Sequence, residues 1–189
     1  MGVAERKMRE RAEREHRIIA AARAIAESDG WSAVTIRRLA VEIEYSQPVL
    51  YSHFENREAI VTAVAVEVFR ELAAVLRQAA RDSADRRRAP NMVALAYLAF
   101  AGAHPALYEA MFTMPTGLRF AEADTRAELK DAFAALAEVV APSTGNGELI
   151  TETFWAALHG LAELERGGRI RPGAREERVS LLVRGLIRD

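Results

Sequence analysis

Residues 35–59, TIRRLAVEIEYSQPVLYSHFENREA, form the stretch that decides the fold of the N-terminal part of the chain. Their pattern predicts two short helices joined by a tight turn and followed by a long helix. Thr35 precedes the first short helix, at about 36–43, and is expected to cap it. Ser46 is the cap candidate of the second helix, and Pro48 stands in its first turn, where the missing N–H has no partner to lose. This order of elements is that of a helix-turn-helix.

The second short helix, at about 47–53, has an apolar side and a side of unusual composition. We expect Val49, Leu50 and Phe54 to supply the buried contacts. A second set is left to face outward in varying degree, namely Gln47, Pro48, Tyr51, Ser52 and His53. Such a set is odd for a solvated surface but suits a short helix that enters the major groove of DNA end first. An ordinary helix corner with Tyr51 and Phe54 as core aromatics is the alternative interpretation.

The apolar residues of the remaining chain are also spaced as in helices, and no run of Val, Ile and Thr alternates as in a strand. We therefore expect an all-α protein of about nine helices. The predicted helices outside the quoted stretch lie at about 12–28, 57–80, 91–103, 105–113, 120–140, 148–166 and 174–187.

Composition excludes several classes of protein. With 26 Lys and Arg against 27 Asp and Glu, the chain cannot act like a histone through bulk positive charge. It has no cysteine, which removes disulfides, thiolate nucleophiles and cysteine metal sites and is compatible with the expected cytoplasmic location. The longest apolar run, 92–101, is shorter than the roughly 20 residues that span a bilayer, so we expect no membrane association.

Three pieces of the quoted stretch resemble the DNA-binding region of the tetracycline-repressor (TetR) family. They are Leu39-Ala40, the segment 46–54 and the segment 56–60, and the string L-Y-x-H-F followed by a basic residue three positions on is the family's strongest mark. The resemblance extends over about residues 12–62. It implies a three-helix DNA-binding domain at 1–56 and a larger helical effector-binding and dimerisation domain at 57–189. It also implies a sequence-specific transcriptional regulator, expected to be a repressor that a small apolar or amphipathic ligand releases from its operator.

Family roles carry over to this chain residue by residue. Arg37 and Gln47 match base readers, since arginine can grip guanine O6 and N7 and glutamine can pair with adenine N6 and N7. Pro48 and Val49 match positions that touch thymine methyl groups or sugars. The positions that match phosphate contacts are Thr35, Ser46, Tyr51, His53 and Arg57.

The sequence departs from the family pattern at the turn, where Glu44 replaces the usual glycine. Either Glu44 accepts a left-handed conformation at some cost in free energy, or the turn has a different geometry. Residues 31–57 contain three arginines and three glutamates, so this segment carries no net charge. DNA affinity is therefore expected to rest on a few well-placed contacts rather than on a basic surface.

The second half of the chain is rich in aromatic residues and methionine, which predicts either plain core packing or an adaptable apolar ligand cavity. The residues assigned to that cavity are Tyr97, Phe100, Tyr108, Met111, Phe112, Phe133, Trp155 and His159. Trp155, His159 and Gly160 resemble the W…HG signature of one C-terminal class of the same family. Gly160 inside a helix suggests that another helix approaches closely there.

The last two predicted helices are apolar on more than one side, which indicates burial on several sides. In the family that they resemble, these helices form a four-helix dimer interface. The residues assigned to it are Ile150, Phe154, Leu158, Leu161, Val179, Leu182, Val183 and Leu186. A homodimer would place two reading helices about 34 Å apart on a palindromic operator in double-stranded DNA.

Signals for an enzyme are weak. The sequence has no Gly-rich phosphate loop and no nucleophile motif, so we expect no cofactor and no catalytic residue. His159 and Glu163 share a helix face but lack a third ligand, so no metal site is expected. The run Arg86–Arg88 is interpreted as a solvated loop, with a basic patch as the alternative. The alternative function is an all-α small-molecule-binding or enzymatic domain without DNA affinity.

Overall fold

The structure, a computed structural model, describes residues 2–141 and 146–187. Within these ranges it contains nine α-helices, one short 3-10 turn and no strand, which confirms the predicted all-α class. The helices are α1 (Val3–Asp29), α2 (Ile36–Glu42), α3 (Gln47–Tyr51), α4 (Arg57–Asp82), α5 (Ala89–Ala103), α6 (Pro105–Phe112), α7 (Ala127–Val140), α8 (Gly147–Arg166) and α9 (Arg175–Leu186). None of these helices has the length and apolar character needed to cross a membrane.

The chain divides into two compact units. Unit 1 comprises the residues up to 68 together with 106–118, and unit 2 comprises 69–105 and the residues from 119 onward. Helix α4 is one continuous helix that contributes residues to both units. The functional division at residue 56 stays a prediction.

Unit 1 is built around the second half of α1 and the two short helices. Ile18 and Ala22 of α1, Leu39 of α2 and Leu50 of α3 are all fully buried. Burial of each large apolar side chain contributes about 1.5–3 kcal/mol, so Ile18, Leu39 and Leu50 fix the short helices in the core of the unit. Trp31 adds a polar link, because its Nε1 donates a hydrogen bond of 2.7 Å to the carbonyl of Ala106.

Two helix boundaries differ from the sequence prediction. Helix α1 begins at Val3 instead of near residue 12, and its exposed first turns hold i,i+4 ion pairs such as Arg6–Glu10 and Arg11–Glu15. Such pairs stabilise a solvated helix without the apolar stripe on which the prediction depended. Helix α7 begins at Ala127 instead of 120, and Ala121 lies in the left-handed region with φ 56°.

Unit 2 has its own apolar core and its own ion pairs between helices. Tyr97 of α5 and Phe154 of α8 are among its largest fully buried side chains. On the surface, Arg77 of α4 binds both carboxylate oxygens of Asp131 at 2.7 and 2.8 Å and Glu138 at 3.0 Å. These bonds hold α4 to α7 at one edge of the unit.

Candidate nucleic-acid interface

Helices α2 and α4 each begin at a side chain that caps the first turn. The hydroxyl of Thr35 accepts a hydrogen bond of 3.1 Å from the N–H of Arg38 and so caps α2, as predicted. The amide oxygen of Asn56 accepts a hydrogen bond of 2.8 Å from the N–H of Ala59 in the first turn of α4. These caps define where α2 and α4 start.

The turn between α2 and α3 is closed by two backbone hydrogen bonds. The N–H of Tyr45 donates to the carbonyl of Ala40 at 2.9 Å, and that of Glu44 donates to Val41 at 3.3 Å. This pair is a Schellman motif, which places a left-handed residue just past the helix end. Glu44 takes that conformation with φ 56°, so the first of the two alternatives holds. A residue other than glycine costs about 1–2 kcal/mol in this conformation.

Helix α3 presents one side to solvent and buries the other. Gln47, Pro48 and Tyr51 are exposed, with 53 % of the surface of Tyr51 accessible, whereas Leu50 is fully buried. Ser46 occupies the N-cap position, but its hydroxyl makes no capping hydrogen bond within the described part of the chain. The exposed hydroxyl of Ser46 therefore remains able to contact a ligand. Val49 is half-buried between the two sides.

His53 differs from the expectation that it faces outward. Only 4 % of its side chain is exposed, and its Nδ1 lies 3.2 Å from a carboxylate oxygen of Glu15 in α1. The same oxygen accepts a hydrogen bond of 2.9 Å from Arg11. His53 thus ties the end of α3 to α1, and its contact with a phosphate stays a prediction.

Arg57, in the first turn of α4, is held by backbone carbonyls. Its Nε donates to Val34 at 2.8 Å and its Nη2 donates to Trp31 at 2.6 Å. Both acceptors lie in the segment that leads into α2. The guanidinium therefore fixes the start of α4 to the start of the helix-turn-helix, while Nη1 keeps donors for the predicted phosphate contact.

Most other cations of this surface are already paired, and sequence reasoning missed these pairs. Arg38 forms an ion pair with Asp29, and Arg17 donates to the hydroxyl of Tyr45 at 2.9 Å. The partners stand too far apart in the chain for any local pattern to indicate them. Arg37 is exposed, and no ion pair involves it in the ranges that the structure describes. Arg37 therefore remains available to a nucleic acid next to α3.

Comparison with protein-family models decides the family. The model described as "Bacterial regulatory proteins, tetR family" matches residues 18–64, and "Tetracyclin repressor-like, C-terminal domain" matches residues 91–186, which is more than half of the chain. The chain belongs to the TetR family. It is a DNA-binding transcriptional regulator, as the sequence predicted.

Relatives of this TetR-family regulator share most of its length. It is 30% identical over 154 residues to the uncharacterized HTH-type transcriptional regulator Rv0681 of Mycobacterium tuberculosis, covering 80% of this chain and 69% of the relative. A protein of unknown function from Rhodococcus sp. RHA1 superposes with a TM-score of 0.76 at 25% identity, over 92% of this chain and 95% of that chain. FadR from Bacillus subtilis, solved in complex with stearoyl-CoA, has a TM-score of 0.67 at 14% identity, over 90% and 98%.

Unit 2 of the regulator brings together three of the residues assigned to a ligand cavity. Trp155 Nε1 donates to the hydroxyl of Tyr97 at 3.2 Å, and the ring of Phe133 lies 6.5 Å from that of Trp155. The ring of Phe120, which the prediction left out of the cavity, lies 5.9 Å from that of Trp155 and packs edge-on 5.7 Å from that of Phe69. We call these five rings the aromatic cluster; Phe120, Phe133 and Trp155 are only half-buried.

The other residues assigned to the cavity are more scattered. Phe100 is buried in α5, where its ring lies 5.1 Å from that of His104. Tyr108, Met111 and Phe112 belong to unit 1, where the rings of Tyr108 and Phe112 are 4.8 Å apart. Their assignment to a ligand cavity stays a prediction.

His159 follows Trp155 by one turn of α8 and is half-buried. Burial lowers the pKa of His159 below its ordinary value, Glu163 opposes that shift and Arg166 adds to it. The imidazole is therefore neutral near pH 7 and can accept or donate one hydrogen bond. Among the described residues, no group of three His, Asp or Glu side chains is arranged to hold a metal ion.

The residues assigned to a dimer interface fall into two groups. Phe154, Leu158, Val179 and Val183 are buried inside the protomer. The other four are half-buried, namely Ile150, Leu161, Leu182 and Leu186. The exposed large apolar side chains of α8 and α9 are different ones: Leu149, Leu164 and Leu181.

Proposed function

We propose that this TetR-family regulator is a homodimeric, cytoplasmic repressor without catalytic activity that binds a palindromic operator through α3. A small apolar or amphipathic effector releases it from that operator. The observation that carries the proposal is the exposed row of Gln47, Pro48 and Tyr51 on a short helix whose other side is fixed by the buried Leu50. A helix held in this way can enter a major groove without rearranging.

The exposed donors on this surface divide into base readers and phosphate contacts. Arg37 and Gln47 have the side chains that pair with guanine and adenine edges. The exposed hydroxyls of Ser46 and Tyr51 would donate to phosphates on either side. Thr35 uses its oxygen as an acceptor for the cap of α2, which leaves its hydroxyl proton for a phosphate.

The dimer is supported by two helix glycines, the half-buried Gly160 and the exposed Gly185, that have open space beside them in the described protomer. A Cβ added to Gly160 of α8 or Gly185 of α9 would meet no atom within 4 Å. Glycine in a helix interior costs about 1 kcal/mol relative to alanine, so a close partner helix would explain both. Leu149 and Leu164 lie on the face of α8 that carries Gly160, and Leu181 accompanies Gly185.

The aromatic cluster supports an effector site in unit 2. Its half-buried rings offer apolar surface, and the neutral His159 and the hydroxyl of Tyr97 offer directional hydrogen bonds, as an amphipathic ligand requires. The fold is able to hold such ligands, since FadR from Bacillus subtilis was solved with stearoyl-CoA. Phe69 of the cluster lies on α4, the helix that Arg57 fixes to the helix-turn-helix. A ligand that displaces α4 at Phe69 would therefore shift α3 through the bonds of Arg57.

The test is fluorescence anisotropy of the full chain with duplexes from the DNA upstream of its own gene, against scrambled duplexes. We expect the chain to prefer one palindromic duplex by about a thousandfold or more. Gln47→Ala should relax the preference at one base pair in each half-site. The matched control is Gln78→Ala, which removes the other glutamine, also exposed and located in unit 2. Binding without sequence preference, or equal losses in the two variants, would contradict the proposal.

The dimer is tested separately by light scattering coupled to size exclusion. Gly160→Leu and Leu181→Glu should each convert the dimer to a monomer, because one fills the space for a partner helix and the other charges it. Val75→Glu charges a partly exposed apolar residue on α4 and should leave the dimer intact. A wild-type monomer, or dissociation by Val75→Glu alone, would contradict this part of the proposal.

A further inference from the structure

Unit 2 contains a depression whose rim is strongly basic. It has a volume of about 830 Å³, which is in the range of small-molecule sites. Six arginines line it against a single carboxylate, Glu138, although the whole chain has a net charge of −1. The lining arginines are Arg77, Arg81, Arg86, Arg87, Arg88 and Arg184. We call this feature the basic depression.

Four of these arginines have no counter-ion among the residues that the structure describes. Glu138 is bound at 3.0 Å by Arg77, and Arg81 donates to the amide oxygen of Gln78. In the ranges that the structure describes, no ion pair involves Arg86, Arg87, Arg88 or Arg184, and all four are exposed. Like charges gathered in this way repel one another, and a bound anion would relieve that repulsion.

The first turn of α5 adds to the attraction for an anion. Ala89, Pro90 and Asn91 line the basic depression, and no side chain caps this helix in the described structure. The N-terminus of a helix carries a partial positive charge. The N–H of Ala89 donates to the carbonyl of Arg86 at 3.3 Å and Pro90 has no N–H, so within this turn the N–H of Asn91 remains for an anion. The helix end and the arginines therefore favour the same kind of ligand.

The floor of the basic depression is apolar. Val139 of α7, together with Val183 and Ile187 near the end of α9, supplies aliphatic surface that is less exposed than the four arginines without a counter-ion. An inorganic anion alone would leave this surface in contact with water. A ligand that combines phosphate groups with an apolar or aromatic part would cover both the rim and the floor.

The apolar part of the basic depression and the proposed dimer face lie on different sides of α9. A helix turns by about 100° per residue, so Leu181 and Gly185 each lie about 160° from Val183. Arg184 lies between the two sides, about 60° from Leu181. The apolar floor therefore faces away from the proposed dimer face, and Arg184 stands at the boundary between them.

We propose that the basic depression binds an organic polyphosphate of the nucleotide type, with the phosphates held by Arg88 and Arg184 and the apolar part lying on Val139 and Val183. Arginine suits this role because its planar fork can bind two phosphate oxygens at once. The run of arginines at 86–88, interpreted from sequence as a solvated loop, is then part of a ligand site.

The test is isothermal titration calorimetry of the full chain, in chloride buffer without phosphate, with tripolyphosphate, ATP and adenosine as probes. We expect one site per protomer for tripolyphosphate and for ATP, and no measurable binding of adenosine. ATP should bind at least as tightly as tripolyphosphate although it carries less charge, because its adenosine covers the apolar floor. The double variant Arg88→Gln/Arg184→Gln should weaken ATP binding by about tenfold to a hundredfold.

The matched control is Arg169→Gln/Arg171→Gln, which removes the same charge from two exposed arginines outside the depression and should leave ATP binding unchanged. If both double variants lost the same affinity for ATP, the loss would follow from the change in net charge alone, and the proposal would be overturned. No binding of either phosphate probe would also overturn it. Loss of affinity of Arg88→Gln/Arg184→Gln for a non-operator duplex, with ATP binding unchanged, would assign the arginines to DNA instead. The calorimetry contains no DNA, so its failure is distinguishable from failure of the proposed operator binding.

Discussion

The helix-turn-helix of unit 1 and the basic depression of unit 2 use arginine in opposite ways. Around the helix-turn-helix, three guanidinium groups are tied to other parts of the unit: Arg57 to two carbonyls, Arg38 to Asp29 and Arg17 to Tyr45. Around the basic depression of unit 2, four arginines have no counter-ion in the described structure. The tied arginines fix the geometry of the helix-turn-helix, and the untied arginines give the basic depression its positive charge.

This difference shows why net charge is a poor guide to function in this chain. A tied guanidinium loses little conformational freedom when DNA binds, so a surface with no net charge can still present its donors in fixed positions. The untied arginines of the basic depression instead attract anions at long range, and salt screens this attraction over about 10 Å. Substitutions in the two groups should therefore affect different measured quantities.

Arg57→Ala should give the largest effect of these variants, and the effect should be on the stability of the fold. The carbonyls of Val34 and Trp31 would lose a charged donor, which lowers the free energy of unfolding by about 3 kcal/mol. Urea denaturation at a fixed protomer concentration measures it. Arg184→Gln is the control from the untied group and should leave the free energy of unfolding unchanged or raise it by a few tenths of a kcal/mol. If Arg57→Ala unfolds like wild type, the contrast between the two groups is lost.

Arg37→Ala should affect DNA binding and leave the fold intact. Arg37 is exposed and in no ion pair of the described residues, so its loss should change the free energy of unfolding by less than about 0.5 kcal/mol. Loss of a guanine contact should weaken operator binding by about 1–3 kcal/mol. Arg38→Ala, at the neighbouring residue paired with Asp29, is the matched control in the same anisotropy assay. A larger loss of affinity in Arg38→Ala than in Arg37→Ala would reverse the assignment.

Glu44→Gly tests the strain in the turn between α2 and α3 of unit 1, where Glu44 has a left-handed conformation. Glycine relieves the left-handed conformation at φ 56° and should raise the free energy of unfolding by about 1 kcal/mol. Glu44→Gln removes the same charge but keeps the strain, so thermal unfolding should distinguish the two variants. Both should bind DNA more tightly, because a negative charge leaves the turn beside α3. If Glu44→Gly and Glu44→Gln were equally stable, the left-handed conformation at position 44 would not be strained.

Asp131→Asn should give the smallest effect, at a tied arginine of unit 2. Hydrogen bonds from Arg77 hold the pKa of Asp131 below its ordinary value. The pair therefore stabilises the native state above pH about 4, and this contribution is lost as the pH falls through the lowered pKa. The pair is exposed, so the loss is at most about 1 kcal/mol. Denaturation at several pH values between acid and neutral should show that the free energy of unfolding falls less steeply on acidification in Asp131→Asn than in wild type. The free energy of unfolding of Asp124→Asn should depend on pH as in wild type.

Features set by neighbouring residues were accessible from the sequence. Thr35 caps α2 as predicted, because a cap joins residues only three positions apart, and Asn56 caps α4 across the same short distance. Pro48 fits the first turn of α3 for the same local reason. The departure at Glu44 was visible as well, since a Schellman turn makes one position special.

Features set by distant residues were not accessible. His53 turns inward because Glu15, 38 positions earlier, lies beside it. Arg57 is engaged by carbonyls 23 and 26 positions away. The basic depression joins arginines of the α4–α5 connection to Arg184 on α9, a juxtaposition that only the packing of unit 2 creates.

Helix α1 starts well before its first buried residue, Ile18. Its early amides are held only by bonds along the helix, and its later ones by the packing of unit 1 as well. Amide hydrogens before residue 15 should therefore exchange with deuterium through local fraying, while those near Ala22 should exchange only when the whole unit opens. This gradient along one helix makes α1 a built-in reporter, because slowed exchange in its first turns would reveal any ligand that docks beside them.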